Sequence, residues 1–236
     1  MEPPSPSKST LALTAALKAM TPQELESLLE KSQSSLRFLR RSLARENLPE
    51  FMLEILEPPI QPYPHILEWI RLSETEENLL VEAARDHFKS SMLSYAYPLF
   101  LVQGVKYARD AFPVALFSYA ASQAEENLRR IRQQIEGNPY LSWRVPRNNS
   151  FVWDVGNLEA SNGCTIKAYG FGSSFRGRHP KYIIIDDPCK DEGTGSMSWE
   201  QQVKFFESVI VPAAKAGSQI VITGNPVALV DFLSYV

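Results

Sequence analysis

Glycine is scarce in the first half of this chain. Of its 11 glycines, only Gly104 and Gly137 precede residue 150, and the rest lie between Gly156 and Gly224. On composition alone, that excludes an ordinary glycine-rich phosphate loop from the first half. Cysteine is almost absent. Cys164 and Cys189 can build neither a disulfide framework nor a four-thiolate zinc site, and they read as buried thiols of a cytosolic protein. No stretch nears the roughly 18–20 apolar residues that cross a bilayer; the richest, residues 92–121, is broken by Lys106, Arg109 and Asp110. The N-terminus has no basic segment leading into an apolar run, so it is not a signal peptide. A soluble, intracellular protein with no membrane partner is expected. A surplus of positive charge is also missing. Lys and Arg number 24 against 27 Asp and Glu, a net charge of −3, which excludes a polycationic mode of DNA binding. What remains is a globular composition, 44% hydrophobic and 22% charged, in 236 residues. That length fits one large domain, or one plus an appendage.

Two styles of sequence divide the chain. Residues 1–73 read as an all-helical, lid-like subdomain behind a disordered first few residues. Thr21-Pro22-Gln23-Glu24 is a capping box with proline at the first helical position, and Leu25, Leu28, Leu29, Leu36 and Leu39 continue at helical spacing to about Arg45. Arg37, Arg40, Arg41 and Arg45 cluster on this helix, as a solvated face or as a phosphate-facing patch. Pro58, Pro59, Pro62 and Pro64 punctuate the next segment, before a short helix over residues 65–72. From residue 74 to 236, strands alternate with helices. Strands are predicted at 78–83, 114–120, 151–155, 164–169, 182–185 and 219–223, with a turn through Asn162-Gly163. Helices are predicted at 90–102, at 198–216, and from a capping box at Ser122–Glu125 to about Glu136, ended by Gly137. This alternation predicts an α/β fold with a mostly parallel sheet covered on both faces, whose ligands bind at the carboxyl ends of the strands.

Three strand ends carry chemistry. After the first comes Arg85-Asp86-His87-Phe88-Lys89-Ser90-Ser91. The strand, the Lys-Ser pair and the following helix match a phosphate loop, but Ala83 and Phe88 stand at its two glycine positions. Read alone, Lys89 could equally be a surface lysine at a helix start. The second end is Ile185-Asp186-Asp187-Pro188. Two carboxylates beside a buried strand are costly unless compensated. They suit a Mg²⁺ ligand, Asp186, and a residue that orients or deprotonates an attacking water, Asp187; they also suit a simple turn capping the sheet. The third is Thr223-Gly224-Asn225-Pro226, fit for a γ-phosphate sensor or a plain strand exit.

Taken together and in this order, the motifs resemble the ATPase domain of tailed-bacteriophage large terminase subunits. The likeness covers about residues 75–236. It rests on RDHFKSS as a variant Walker A, on GFGSSFRGRHP leading into the Walker B-like YIIIDDP, and on VITGNP followed by VDFL. The resemblance implies a RecA-like, ASCE-type P-loop ATPase that hydrolyses ATP with Mg²⁺ to drive double-stranded DNA into a prohead. By it, Lys89 and Ser90 contact the triphosphate and Mg²⁺, and Arg85 reaches the γ-phosphate within the subunit. Arg176 either offers an arginine finger to a neighbour or ties an acid in place. Thr223, Gly224 and Asn225 form the coupling motif. The implied partners are DNA, the portal and prohead, the small terminase subunit, and further copies in a ring, a pentamer on the portal. The implied setting is the cytoplasm of an infected bacterium.

Phe88 at a glycine position reaches φ > 0 only with strain, so a distorted empty loop and weak nucleotide affinity are expected. The apolar segment 227–236 stops without a polar tail, which reads as a truncated module lacking the nuclease domain of large terminases. Two rival readings remain open: a two-metal nuclease on Asp186, Asp187, Asp191 and Glu192, and a non-hydrolysing interaction module. Arg129, Arg130, Arg132, Arg144 and Arg147 are candidates for phosphate or subunit contact, against an ordinary solvated surface.

Overall fold

The computed structural model describes residues 20–44, 46–103, 112–142, 152–154, 157–159, 164–175, 177–189, 197–226 and 231–236. Two compact units divide at Ser42 and Leu43. The first consists, in its described part, of most of helix α1 (Pro22–Ala44). The predicted capping box forms. Glu24 N donates to Thr21 Oγ1 at 3.3 Å and Thr21 N to Glu24 Oε2 at 2.7 Å, so two orphan donors at the helix start are satisfied. Leu28, Leu29, Leu36, Phe38 and Leu39 of this helix are exposed.

The second unit opens with α2 (Leu48–Glu54) and α3 (Pro64–Thr75). Its centre is a seven-stranded sheet of β1 (Asn78–Glu82), β2 (Pro113–Ser118), β3 (Val152–Asp154), β4 (Asn157–Glu159), β5 (Thr165–Gly170), β6 (Tyr182–Asp186) and β7 (Gln219–Gly224). The spatial order is β1-β7-β6-β2-β5-β4-β3. The five strands from β1 to β5 in that order are parallel; β4 and β3 extend the sheet antiparallel. The period of two explains the layers. Along β6, Ile184 faces one core cluster while Ile183 and Ile185 face the other, so this strand is buried throughout. Strand β1, at the sheet edge, alternates instead between exposed and buried.

One face is covered by α2, α3, α4 (Tyr97–Gln103) and α5 (Ala121–Gly137). The other is covered by α7 (Trp199–Phe205) and the short α8 (Phe232–Tyr235). Between α5 and β3 lies a single turn, α6 (Pro139–Ser142). Buried polar groups tie the first layer to the sheet. Tyr97 Oη donates to Gln219 Oε1 at 2.7 Å, and Gln219 Nε2 donates to the Ser73 and Glu76 carbonyls, each at 2.7 Å.

The structure departs from the sequence reading in three places. The segment 90–102 begins as a π-helix, Ser90–Ala96, before α4, and the segment after Ser198 passes from α7 through a π-helix, Phe206–Ile210, into a 3₁₀ turn, Val211–Ala213. In both, a proline (Pro98, Pro212) follows the π segment by two residues; its ring clashes with the carbonyl four residues back, which a widened turn relieves. Helix α5 starts at Ala121 with Ala120 as an uncapped N-cap, so the box at Ser122 does not form. Packing sets that start, because a Cβ on Gly170 would meet Ala121 N at 2.6 Å. Finally, β4 adds a strand after residues 152–154 that periodicity did not indicate. The turn at Asn162-Gly163 lies outside the described residues.

Candidate nucleotide-binding site

β1, β7 and β6 lie side by side, and their register puts Val81, Thr223 and Asp186 in one row, with Ser118 of β2 next to Asp186. The three predicted strand ends therefore open at the same level of the sheet. Between them is a cavity of about 590 Å³, within the range of small-ligand sites. Every residue from Arg85 to Ser91 lines it, together with Asp187 and Asn225.

The loop takes a bent path without glycine. Asp86 sits at φ 65° and Phe88 at φ 62°. Asp tolerates the left-handed region, whereas Phe pays about 1–2 kcal/mol for it. The Phe88 ring stays half exposed and lies 6.0 Å from the Tyr63 ring. This agrees with the strain expected at that position. Beneath it, the buried Lys89 ammonium donates to the Ala83 carbonyl at 2.6 Å, the Ala84 carbonyl at 2.9 Å and Asn225 Oδ1 at 2.7 Å. Burial lowers its pKa, against the opposing pull of the Asp187, Asp186 and Asp86 carboxylates. Lys89 and Asn225, 136 residues apart in sequence, are thus in direct contact.

The two acids take different environments. Asp186 is buried. Its Oδ1 accepts from Ser90 Oγ at 2.9 Å and its Oδ2 from Asn127 Nδ2 at 3.0 Å. Burial, and then the Asp187 charge, push its carboxyl up to about 6, and the Ser90 and Asn127 hydrogen bonds pull it the other way. Asp187 is half exposed and borders the cavity from a backbone at φ 45°. Its N–H donates to the Thr223 carbonyl at 2.8 Å and its carbonyl accepts from Tyr119 N at 3.3 Å. Thr223 and Gly224 are buried behind the cavity rather than lining it. The Thr223 and Ser118 hydroxyls, on either side of Asp186 in the row, have no hydrogen-bond partner among the described residues.

Ser90 Oγ and Asp186 form a donor set suited to Mg²⁺, which binds proteins through few side chains and keeps waters and substrate phosphates for its other positions. Among the described residues, no group of three His, Cys, Asp or Glu could hold a metal ion. Arg176, Asp191 and Glu192 lie outside the described residues, as do Arg45, Arg144 and Arg147. The arginines of α5 are engaged within the chain. Arg129 pairs with Glu126, Arg132 with Glu136 at 3.0 Å, and the Arg130 guanidinium lies 4.6 Å over the Tyr95 ring.

Sequence reasoning missed Asn127, Tyr119, Ala120, Gln123 and Cys189. All but Asn127 line the cavity. Cys189 is a poor nucleophile there, since burial raises its thiol to about 11. Asn127 did leave a signal. It stands on the apolar stripe Ala124, Leu128, Ile131, Ile135, where a lone polar side chain needs a partner.

No family model matches the sequence, and no curated protein matches it. Solved structures do. The large terminase of bacteriophage HK97 superposes with a TM-score of 0.62 at 17% identity, over 80% of this chain and 40% of that one. The ATPase domain of the Thermus phage P74-26 large terminase, in a mutant form, superposes with a TM-score of 0.52 at 14% identity, over 73% of each chain. The chain thus spans about two fifths of the HK97 protein's length. With five parallel strands flanked by helices and its cleft at their carboxyl ends, the chain has the RecA-like α/β fold of phage large-terminase ATPase domains.

Proposed function

We propose that this chain is the ATP-hydrolysing motor domain of a large terminase, powering translocation of double-stranded DNA into a prohead. One observation carries the reading. Lys89 and Ser90, adjacent on the loop that lines a nucleotide-sized cleft, each hydrogen-bond to a different strand end, Lys89 to Asn225 and Ser90 to the buried Asp186. The fold shared with two phage terminases supports it.

In this reading the triphosphate lies along residues 85–91, with Lys89 leaving Asn225 to meet phosphate oxygens. Ser90 and Asp186 hold Mg²⁺, which when bound neutralises charge building on the phosphates. Asp187 orients a water whose oxygen attacks the γ-phosphorus. The bond from the γ-phosphorus to the bridging oxygen breaks, ADP carries that oxygen away, and the water's proton passes to Asp187 or to solvent. Arg85 acts within the subunit and Arg176 across to a neighbour. Thr223 and Asn225 transmit the change along β7. Ring assembly on the portal, engagement of the small subunit and DNA, and action in the cytoplasm of an infected bacterium follow from the same reading. No helix among the described residues is long and apolar enough to cross a membrane.

The test is Mg²⁺-dependent ATP turnover against protein concentration. The rate per chain should rise with concentration if a neighbour completes the site, and Lys89→Ala should abolish it. Turnover that survives Lys89→Ala, or Mg²⁺- or Mn²⁺-dependent DNA cleavage by this chain, would refute the reading.

A further inference from the structure

Asp186 is held by two donors, one on each carboxylate oxygen. Ser90 Oγ comes from the phosphate loop, and Asn127 Nδ2 comes from α5, which packs on the same face of the sheet. The Cβ–Cγ torsion of an aspartate is broad, with little intrinsic preference, so its plane is set by partners. The Ser90 bond alone leaves the carboxylate free to pivot about Oδ1. Asn127 removes that freedom, and it is itself buried, in a helix whose position is fixed by Leu128, Ile131 and Ile135 in the core. The first turn of the same helix supplies a cavity wall through Gln123.

We propose that Asn127 is a positioning residue for the divalent cation: by holding Asp186 Oδ2, it aims Oδ1 and the Ser90 hydroxyl at one shared coordination point. The proposal rests on the nucleotide-binding reading of this cleft and deepens it. Asn127 touches neither nucleotide nor cation. It acts through Asp186, as outer-shell partners of metal ligands do, where substitution costs about 10–100-fold in metal affinity.

The test uses the whole chain and measures ATPγS affinity by calorimetry, once with Mg²⁺ and once with EDTA. Two variants are compared: Asn127→Ala and Asn127→Leu, the latter close in volume and without a donor. Each should lose about tenfold or more in affinity with Mg²⁺, while affinity in EDTA, which depends on Lys89 and the loop backbone, stays within about twofold. In an Asp186→Ala background, removing the Asn127 amide should cause no further loss, because its route to the cation is gone. A merely structural role would lower both affinities in parallel and would persist without Asp186. Unchanged Mg²⁺-dependent affinity, a parallel loss, or additivity with Asp186→Ala each overturns the positioning role alone. Absence of Mg²⁺-dependent nucleotide binding by the unsubstituted chain overturns the cleft reading and this proposal together.

Discussion

Replacing Asp186 by asparagine should make the nucleotide-free protein more stable at neutral pH while abolishing turnover. The carboxyl is 3% exposed and its pKa is raised from 3.8 to about 6. A carboxyl raised in the folded state holds its proton more tightly there than in the unfolded chain. The contribution of Asp186 to wild-type stability is therefore full below about pH 4 and falls as pH rises towards 6, above which the loss is complete. About two pKa units correspond to about 3 kcal/mol. Asparagine keeps the shape; its Oδ1 accepts from Asn127 and its amide can only donate to Ser90 Oγ, so the Ser90 bond must reverse, returning about 1 kcal/mol. The net gain at pH 7.5 is about 2 kcal/mol, or about 4–8 °C in melting temperature for a chain of this size. Below about pH 4 the gain is lost, because wild-type Asp186 is then protonated and no longer carries a buried charge. Thermal melts of both proteins at intervals from pH 3.5 to 8 measure this difference. A difference that does not change between pH 4 and 6.5, or a variant less stable at pH 7.5, would show that Asp186 is not a charge kept at a cost for its site.

Phe88→Gly should raise stability by about 1 kcal/mol and tighten Mg-ATP binding, since glycine adopts φ 62° freely; Phe88→Ala keeps the strained Cβ, so equal behaviour of the two variants in melts and calorimetry would exclude strain as the cause. Gly170→Ala should cost about 1–3 kcal/mol in urea melts, because its Cβ would lie 2.6 Å from Ala121 N; a neutral result would mean that the start of α5 is free to move. Asn138→Ala should lower stability by about 2 kcal/mol without changing turnover per folded molecule. Its buried amide donates to the Ile55 carbonyl at 2.5 Å and its Oδ1 accepts from Tyr140 N at 3.0 Å, both remote from the cleft, so a change in kcat would contradict the assignment.

The parallel sheet was legible because its strands are continuous apolar runs with helical segments between them. The positions of residues 85–91, of Asp186 and Asp187, and of Asn225 were legible because each follows such a run. The glycine shortage did not exclude a sharply bent path between β1 and the following helix: composition assumes that only glycine takes the left-handed conformation, yet at Phe88 the backbone takes it at a cost and Tyr63 packs beside the ring. The start of α5 was misplaced because a local capping signal at Ser122 lost to close packing between Ala121 and Gly170. The π segments were hidden because the helical period of residue types does not distinguish a widened turn from a regular one.

By itself, then, the sequence determined the alternation of strand and helix, the carboxyl-end placement of Lys89, Ser90, Asp186, Asp187 and Asn225, and the shortage of glycine around the loop. Those are local properties, written in periodicity and in residue type. Only the tertiary structure decided that β7 lies between β1 and β6, so that Asn225 meets Lys89 and Ser90 meets Asp186, and that Asn127 closes on the second oxygen of Asp186. These contacts join residues 59 to 136 positions apart. Strand order and the docking of α5 create them, through burial of two apolar faces that no local pattern specifies.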